Sequence, residues 1–556
     1  MAVRQAGLSR LSQVGLTVIG FMALWAAVTR WRSLPSAVDY DPTVLPLLVS
    51  GAALLALALA WKSPWRSMAA LVGLAAAGQA SALQLIDAPR YAIYQHFLPW
   101  SRLLETPTLV LGILTIQAIV CIVLAAKTWP AVSTHARSVA RSLLDSGPRG
   151  LLLTLGVLGL FAFAIVVPTE SAARAVGEFA LAAWVILIGL LNLLLIAGVA
   201  PAEPLTRTVA WLDHHVTLDA TREEPRPWDR FLPWGVAVWV VVVTAMVSWF
   251  VMEGVPHIDD SISYLFQAKY LSTGQLYLPA PPDSASFHVA ETIVDGPRWF
   301  GYAFPGWPAV LALGALVGLP WLVNPLIAGL TVLLAHRLVR SLYDRSMANL
   351  AVCLLGVSPW FLFTSSSFMG HAVALAFGLL TLLAVELERR RLTAGWALVA
   401  GVAIGALFLT RPIEALFVGS IALLWMVGLS GSRVRVRSML VYAVSAAGVA
   451  AIVFAYNAAL TGSPSYAPHM MWTDRTWGPG VDRLGFGPHI GIPAWTNIDP
   501  LPGHGIMDVV LNANKNLFMA NFDLFGWACG SLLLAVVALP LLKRRRADWL
   551  MILLVI

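Results

Sequence analysis

The chain has 556 residues, of which 59% are hydrophobic and only 12% charged, and its mean hydropathy is +0.77. A soluble domain carries about twice that charged fraction, so a water-soluble globule is excluded and lipid is the main solvent. The net charge of +7 is spread over short loops, which argues against a nucleic-acid partner and for anchoring at a membrane face.

Apolar runs recur along nearly the whole length, each long enough to cross a hydrocarbon layer of about 30 Å. They predict an all-α polytopic membrane protein. Spans are expected near 12–29, 43–61, 68–86, 107–126, 150–168, 175–199 and 232–252. Residues 305–336 cross an odd number of times, either three times or once with a re-entrant piece, PGWPAVLALGALVGLP. Further spans follow near 347–363, 368–386, 394–409, 413–430, 438–460 and 525–542, and the sequence ends inside another apolar run, DWLMILLVI. The first run, LTVIGFMALWAAV, has no clear small-x-small cleavage site and reads as a retained helix. Cys121, Cys353 and Cys529 all lie inside apolar runs, so no disulfide framework or thiolate metal site is legible.

Loop charge orients this map. Basic clusters at Lys127/Arg137/Arg141/Arg149, Arg222/Arg226/Arg230, Arg337/Arg340/Arg345, Arg389–Arg391, Arg433/Arg435/Arg437 and Lys543–Arg546 fall on one side, which the positive-inside rule makes cytoplasmic. Arg30 and Arg32 are exceptions. The N-terminus is then cytoplasmic, in a cytoplasmic (inner) membrane. Two long loops, about 253–304 and 461–520, emerge on the extracytoplasmic side. The chain divides near residue 230: residues 1–230 form six helices of unassigned role, and residues 231–556 carry both long loops, where function usually sits.

The first loop holds six acids, Glu253, Asp259, Asp260, Asp283, Glu291 and Asp295, against Lys269 and Arg298. If SISYLFQAKYLSTG is helical, steps of about 100° per residue place Asp260, Tyr264 and Gln267 on one face. Asp259 points away from that face and is either a helix cap or a second carboxylate. His288 and Glu291 have a spacing that, with Asp259 or Asp260, fits a divalent cation, although such spacing is common by chance. Arg411 stands at the outer end of a helix, where the positive-inside rule gives it no reason to be; it either snorkels to headgroups or holds an anion. Glu414 lies one turn on and can pair with it. His371 closes the SSSFMGH segment, and His469, His489 and His504 in the second loop are candidate acceptor-side contacts. The loop tryptophans Trp299, Trp307, Trp472, Trp477 and Trp495 suit sugar stacking and an interfacial belt equally.

The aspartate four residues before a tyrosine, just after an apolar span, resembles the Asp-Glu-x-x-Tyr motif of GT-C membrane glycosyltransferases. The nearest likeness is to bacterial relatives of protein O-mannosyltransferases and lipid A aminoarabinose transferases (glycosyltransferase family 39-like). Here the stretch reads Asp260-Ser261-Ile262-Ser263-Tyr264, with serine in place of the glutamate. GYAFPGWPAVLALG is similar to that class's proline-rich helix start but lacks its lysine, leaving Tyr302 and Arg298 nearest to the position. SPWFLFTSSSFMGHAVAL, LFLTRPIEAL, YNAALTGSPSYAPH, GFGP and NFDLFGWACG complete the likeness over about 235–540, while the first 230 residues match nothing comparable.

The resemblance implies a GT-C-like transmembrane core with short interfacial helices in its outer loops, and transfer of a sugar from a polyprenyl-phosphate donor, with inversion. The acceptor is a glycan, lipid or protein. It implies Asp260 as base with Asp259 in support, and Arg411 helped by Arg298 on the donor phosphate. Tyr264, His371, Glu414, His288 and Tyr302 would line the pocket, with no cofactor or metal required. The competing readings are a transporter or flippase, whose path would be marked by intramembrane charges, and a non-catalytic subunit of a membrane complex.

Overall fold

The computed structural model describes residues 2–34, 40–87, 95–144, 147–166, 172–201, 227–287, 289–391, 393–429, 432–491 and 503–534, with scattered residues between 203 and 211. It is helical almost throughout. Among the described residues, eight helices are long and apolar enough to cross a membrane, or nine if the bent pair Arg345–Gly356 and Pro359–Ser366 counts as one span. The protein is therefore an all-α polytopic membrane protein. The expected spans at 43–61, 394–409 and 413–430 appear as the shorter apolar helices Val44–Ala60, Ala394–Thr410 and Pro412–Met426.

Two compact units emerge from the contacts: Met1–Val209 with Ala494–Leu542, and Ala210–Pro493 with Lys543–Ile556. The C-terminal part of the expected second loop thus groups with the N-terminal helices. It is also not a loop, because Ile506–Asp523 is an 18-residue helix. The span expected at 525–542 is turn-rich over its described residues to 534, and its remainder lies outside the described residues.

In the first unit, glycines set helix approach. A Cβ on Gly51 would come within 2.9 Å of the Gly20 carbonyl, so Ala2–Arg32 and Val44–Ala60 cross at a small-residue contact of the kind lipid-embedded helices favour. Asn192 donates to the Leu71 carbonyl at 3.1 Å and Asn514 to the Phe163 and Val166 carbonyls at 2.6 and 2.8 Å. Buried amides find backbone partners because lipid offers none.

In the second unit, Gly401 and Gly405 bring Ala394–Thr410 against Val436–Ala450; Cβ atoms there would meet the Tyr442 and Ala446 carbonyls. Residues 305–336 resolve into one span, Pro320–Leu342, preceded by the short helix Gly306–Leu316. Leu319 donates back to the Gly314 carbonyl at 2.9 Å, across a turn in which Gly318 takes φ +74°, a value glycine adopts without steric cost. The first long loop carries more than helices: Leu278–Pro279, Thr292–Asp295 and Arg298–Gly301 form an antiparallel sheet with Arg298–Gly301 central. This sheet is what lifts residues 291 and 302 towards the helix that follows the Arg230–Val251 span.

Candidate active site

The helix Asp259–Ser272 is capped by a residue that sequence matching treats as a missing acid. Ser261 Oγ accepts from the Ile258 amide at 3.2 Å and donates to the Ile258 carbonyl at 2.7 Å, and the side chain is buried. Serine at the third helical position therefore closes the N-terminus, and the capping role considered for Asp259 is taken by Ser261. Asp259 is exposed and Asp260 half-buried. Both carboxylates lie in the first turn, where the helix dipole favours negative charge.

The face predicted for Asp260, Tyr264 and Gln267 is present, but its members do different things. Tyr264 Oη lies 3.4 Å from Asp260 Oδ2, a long contact. Gln267 is fully buried and donates to the Ala303 carbonyl at 3.1 Å and Tyr456 Oη at 2.7 Å. It is a strut that fixes residues 301–303 against the helix. Gly301 makes this possible, since a Cβ there would stand 2.7 Å from Gln267 Oε1.

Residue 302 consequently faces the carboxylates. Tyr302 is buried, and burial together with Tyr264, Asp260 and Glu291 pushes its hydroxyl far above the usual phenol range. It is a neutral hydrogen-bonding group and does not replace the cationic lysine of the resembling family. Glu291 completes the group. Its carbonyl accepts from Ser263 Oγ at 2.9 Å and from the Tyr302 amide at 3.2 Å. These bonds hold it at φ +53°, uncommon for a residue with a side chain. Burial, and then the neighbouring Asp260 carboxylate, push the Glu291 carboxyl up to about 8, so at neutral pH it carries a proton it can donate.

On the cationic side, Arg411 sits at the break between Ala394–Thr410 and Pro412–Met426, in extended backbone at φ −145°, ψ 90°. Pro412 ends the preceding helix by excluding the helical conformation before it. The Gly306 turn packs directly on this break: a Cβ there would fall 2.5 Å from Thr410 Oγ1 and 2.7 Å from the Leu409 carbonyl oxygen. Arg411 Nη1 pairs with Glu414, and its charge is felt at Tyr264 and His371. His371 opens the His371–Arg391 helix and is exposed. The stretch before it is pinned by Trp307 Nε1 donating to the Phe368 carbonyl at 2.8 Å and by Asn324 donating to the Ser367 and Met369 carbonyls at 2.6 and 2.8 Å. His371 in turn feels Asp260 and Glu414. Tyr264 and His371 thus each feel both Asp260 and Arg411, Tyr302 joins the group through Tyr264 and Asp260, and Glu414 joins it through Arg411 and His371.

Residues 315–458 match the family model described as dolichyl-phosphate-mannose-protein mannosyltransferase. This chain is similar to GT-C glycosyltransferases. The match covers about a quarter of the chain and contains Arg411 and His371, while Asp260 lies before its start. No curated protein and no solved structure matches the chain.

One expected site residue, Arg298, is engaged elsewhere. Arg298 donates to Asp295 Oδ2 at 2.8 Å and to the Ala459 carbonyl at 3.1 Å, and Arg475 grips the same carboxylate at 2.7 Å. The two guanidiniums, Arg475 first, hold Asp295 below its ordinary carboxylate range. This placement makes Arg298 an anchor of the hairpin and does not support its use on a phosphate. His288 lies outside the described residues, and His504 belongs to the first unit. Among the described residues no group of three or more His, Cys, Asp or Glu is arranged to hold a metal ion. Two links to Asp260 escaped sequence reasoning: that of Glu291, weighed there only as a cation ligand, and that of His469, offered there as an acceptor-side contact, which feels both Asp482 and Asp260. Neither has a local spacing signal that ties it to Asp260.

Proposed function

We propose that this protein moves a sugar from a polyprenyl-phosphate carrier to an acceptor hydroxyl at the extracytoplasmic face of the cytoplasmic membrane, with inversion. The observation that carries the reading is the convergence of a half-buried carboxylate, Asp260, with the guanidinium of Arg411 around the shared neighbours Tyr264 and His371. Asp260 takes the proton of the acceptor hydroxyl as its oxygen attacks the anomeric carbon. The bond from that carbon to the phosphate oxygen breaks on the opposite face, and its electron pair leaves on the polyprenyl phosphate. Arg411 meets the added charge, as a planar guanidinium suits a phosphate.

Glu291 donates its proton to Asp260 and so fixes the direction of the base. The chemistry assigned here asks for no resident metal, because a carboxylate supplies the base and a guanidinium the counter-charge. The test uses the full chain in lipid nanodiscs with a labelled polyprenyl-phosphate hexose. Asp260→Asn should cut transfer of labelled sugar from the carrier by about 10²–10⁴-fold while the protein stays folded. Unchanged transfer would overturn the assignment.

A further inference from the structure

The second long loop carries a built feature that the transfer step above does not use. His469, in the helix Pro468–Thr476, places Nε2 3.4 Å from Asp482 Oδ2, and the two side chains remain 34% and 37% exposed. The dyad is therefore reachable from solvent. The His469 ring stacks on Phe304 at 6.1 Å and 29°, and lies 5.1 Å from the Tyr302 ring. From Tyr302 the rings continue outward to Trp472 at 5.4 Å and on to Trp477 at 5.2 Å. Trp472 and Trp477 are half-buried, each leaving part of its indole uncovered.

The helix that presents these groups is firmly held. Arg475 donates to the Val294 carbonyl at 3.0 Å and to Asp295 at 2.7 Å. Asp474 accepts from Tyr466 Oη at 2.8 Å and from the Gly480 amide at 2.6 Å. Such second-layer bonds are what keep a recognition site in one geometry. Burial pushes the His469 imidazole below its ordinary value, so it is neutral at neutral pH, with one ring nitrogen donating and the other accepting. Asp482 sets the ring's orientation, as carboxylate partners of histidine do.

Flat aromatic faces beside a neutral imidazole and its carboxylate partner match a pyranose, which offers C–H faces to the rings and hydroxyls to the dyad. A serine or threonine hydroxyl on a peptide has no such flat face. Resting on the transferase reading, we propose that His469, Asp482 and the Trp472 and Trp477 rings, backed by the buried Tyr302, form the acceptor subsite, and that the acceptor presents a carbohydrate ring. The attacking hydroxyl then lies at Asp260 while a neighbouring hydroxyl binds His469.

The experiment offers the full chain in nanodiscs a labelled polyprenyl-phosphate hexose and two kinds of acceptor: alkyl gluco-, galacto- and mannopyranosides, and a serine/threonine-rich peptide. Label should pass to at least one alkyl glycoside. His469→Gln and Trp472→Ala should each raise KM for that glycoside about tenfold or more, the loss of one good contact, with KM for the donor unchanged in both and its slow hydrolysis by water unchanged in Trp472→Ala. Trp472→Phe, which keeps a ring, should restore most of the affinity and separates stacking from a folding defect. Label passing to the peptide alone overturns the carbohydrate class, and equal losses in hydrolysis and transfer overturn the subsite. Donor bound with no glycoside accepted sinks this proposal and spares the transferase reading; donor not bound at all sinks both.

Discussion

The Tyr302 ring lies 5.1 Å from the His469 imidazole, while its hydroxyl reaches Glu291 beside Asp260. One buried side chain thus joins the carboxylates of the first long loop to the helix of the second. Tyr302→Phe keeps the ring and removes the hydroxyl from Glu291. Thermal stability should change little, and transfer should fall several-fold. Tyr302→Ala removes the packing as well and should cost about 3–5 kcal/mol, the usual range for a buried aromatic, seen as a large drop in Tm in detergent.

Asp260→Asn leaves the helix cap intact, because that cap is Ser261. Catalysis by a positioned base contributes about 10²–10⁴-fold, so kcat should fall by that factor with circular dichroism unchanged. A variant with full kcat would remove Asp260 from the chemistry.

Arg411 pairs with Glu414 at a half-exposed position, and such pairs contribute only about 0–1 kcal/mol. Arg411→Gln should therefore fold normally and raise KM for the polyprenyl-phosphate donor at least tenfold. Arg411→Lys should recover only part of that affinity, since an ammonium lacks the guanidinium's fork. The measurement is donor titration at saturating acceptor.

Glu291 gives a signed dependence on pH. Its carboxyl is raised from its ordinary value of 4.5 to about 8 by burial and by Asp260, so the folded protein binds more protons than the unfolded chain between those values. Linkage then makes this contribution to stability complete below about 4.5 and lost as pH rises through about 8. Glu291→Gln, uncharged at every pH, should flatten the fall in Tm across that window. An equally steep fall in the variant would show that the dependence arises elsewhere.

Gly306 tests the scaffold. A Cβ there would stand 2.7 Å from the Leu409 carbonyl oxygen, an approach the backbone must move to relieve. Gly306→Ala should cost about 1–3 kcal/mol, typical of overpacking. It should also raise KM for the donor, because the same shift displaces the break that carries Arg411.

The local geometry of the candidate site was legible where its residues lie in short patterns. The four-residue step from Asp260 to Tyr264 and the TRP turn at Arg411 each state their own geometry. Arg298 misled because charge in an acidic loop says nothing of which acid it pairs with, and Asp295 proved to be its partner. Asp259 misled because the cap could equally be supplied by Ser261, two positions on. The neighbours of Glu291 and His469 were hidden for a different reason: the pairing of Thr292–Asp295 with Arg298–Gly301 sets Glu291 beside Tyr302, and the anchored helix Pro468–Thr476 sets His469 against the Tyr302 ring.

Composition and the length of the apolar runs were sufficient by themselves to make this an all-α polytopic membrane protein, since lipid forces every spanning segment to satisfy its own backbone. Helical periodicity was likewise sufficient to set Asp260 and Tyr264 on one face. The tertiary structure alone decided which side chain stands beside which across long stretches of chain: Glu291 against Asp260, His469 against Tyr302, and Ile506–Asp523 with the N-terminal unit instead of the second loop. Those neighbours depend on glycine contacts, sheet pairing and buried amide struts, all of which act between residues that no local period connects.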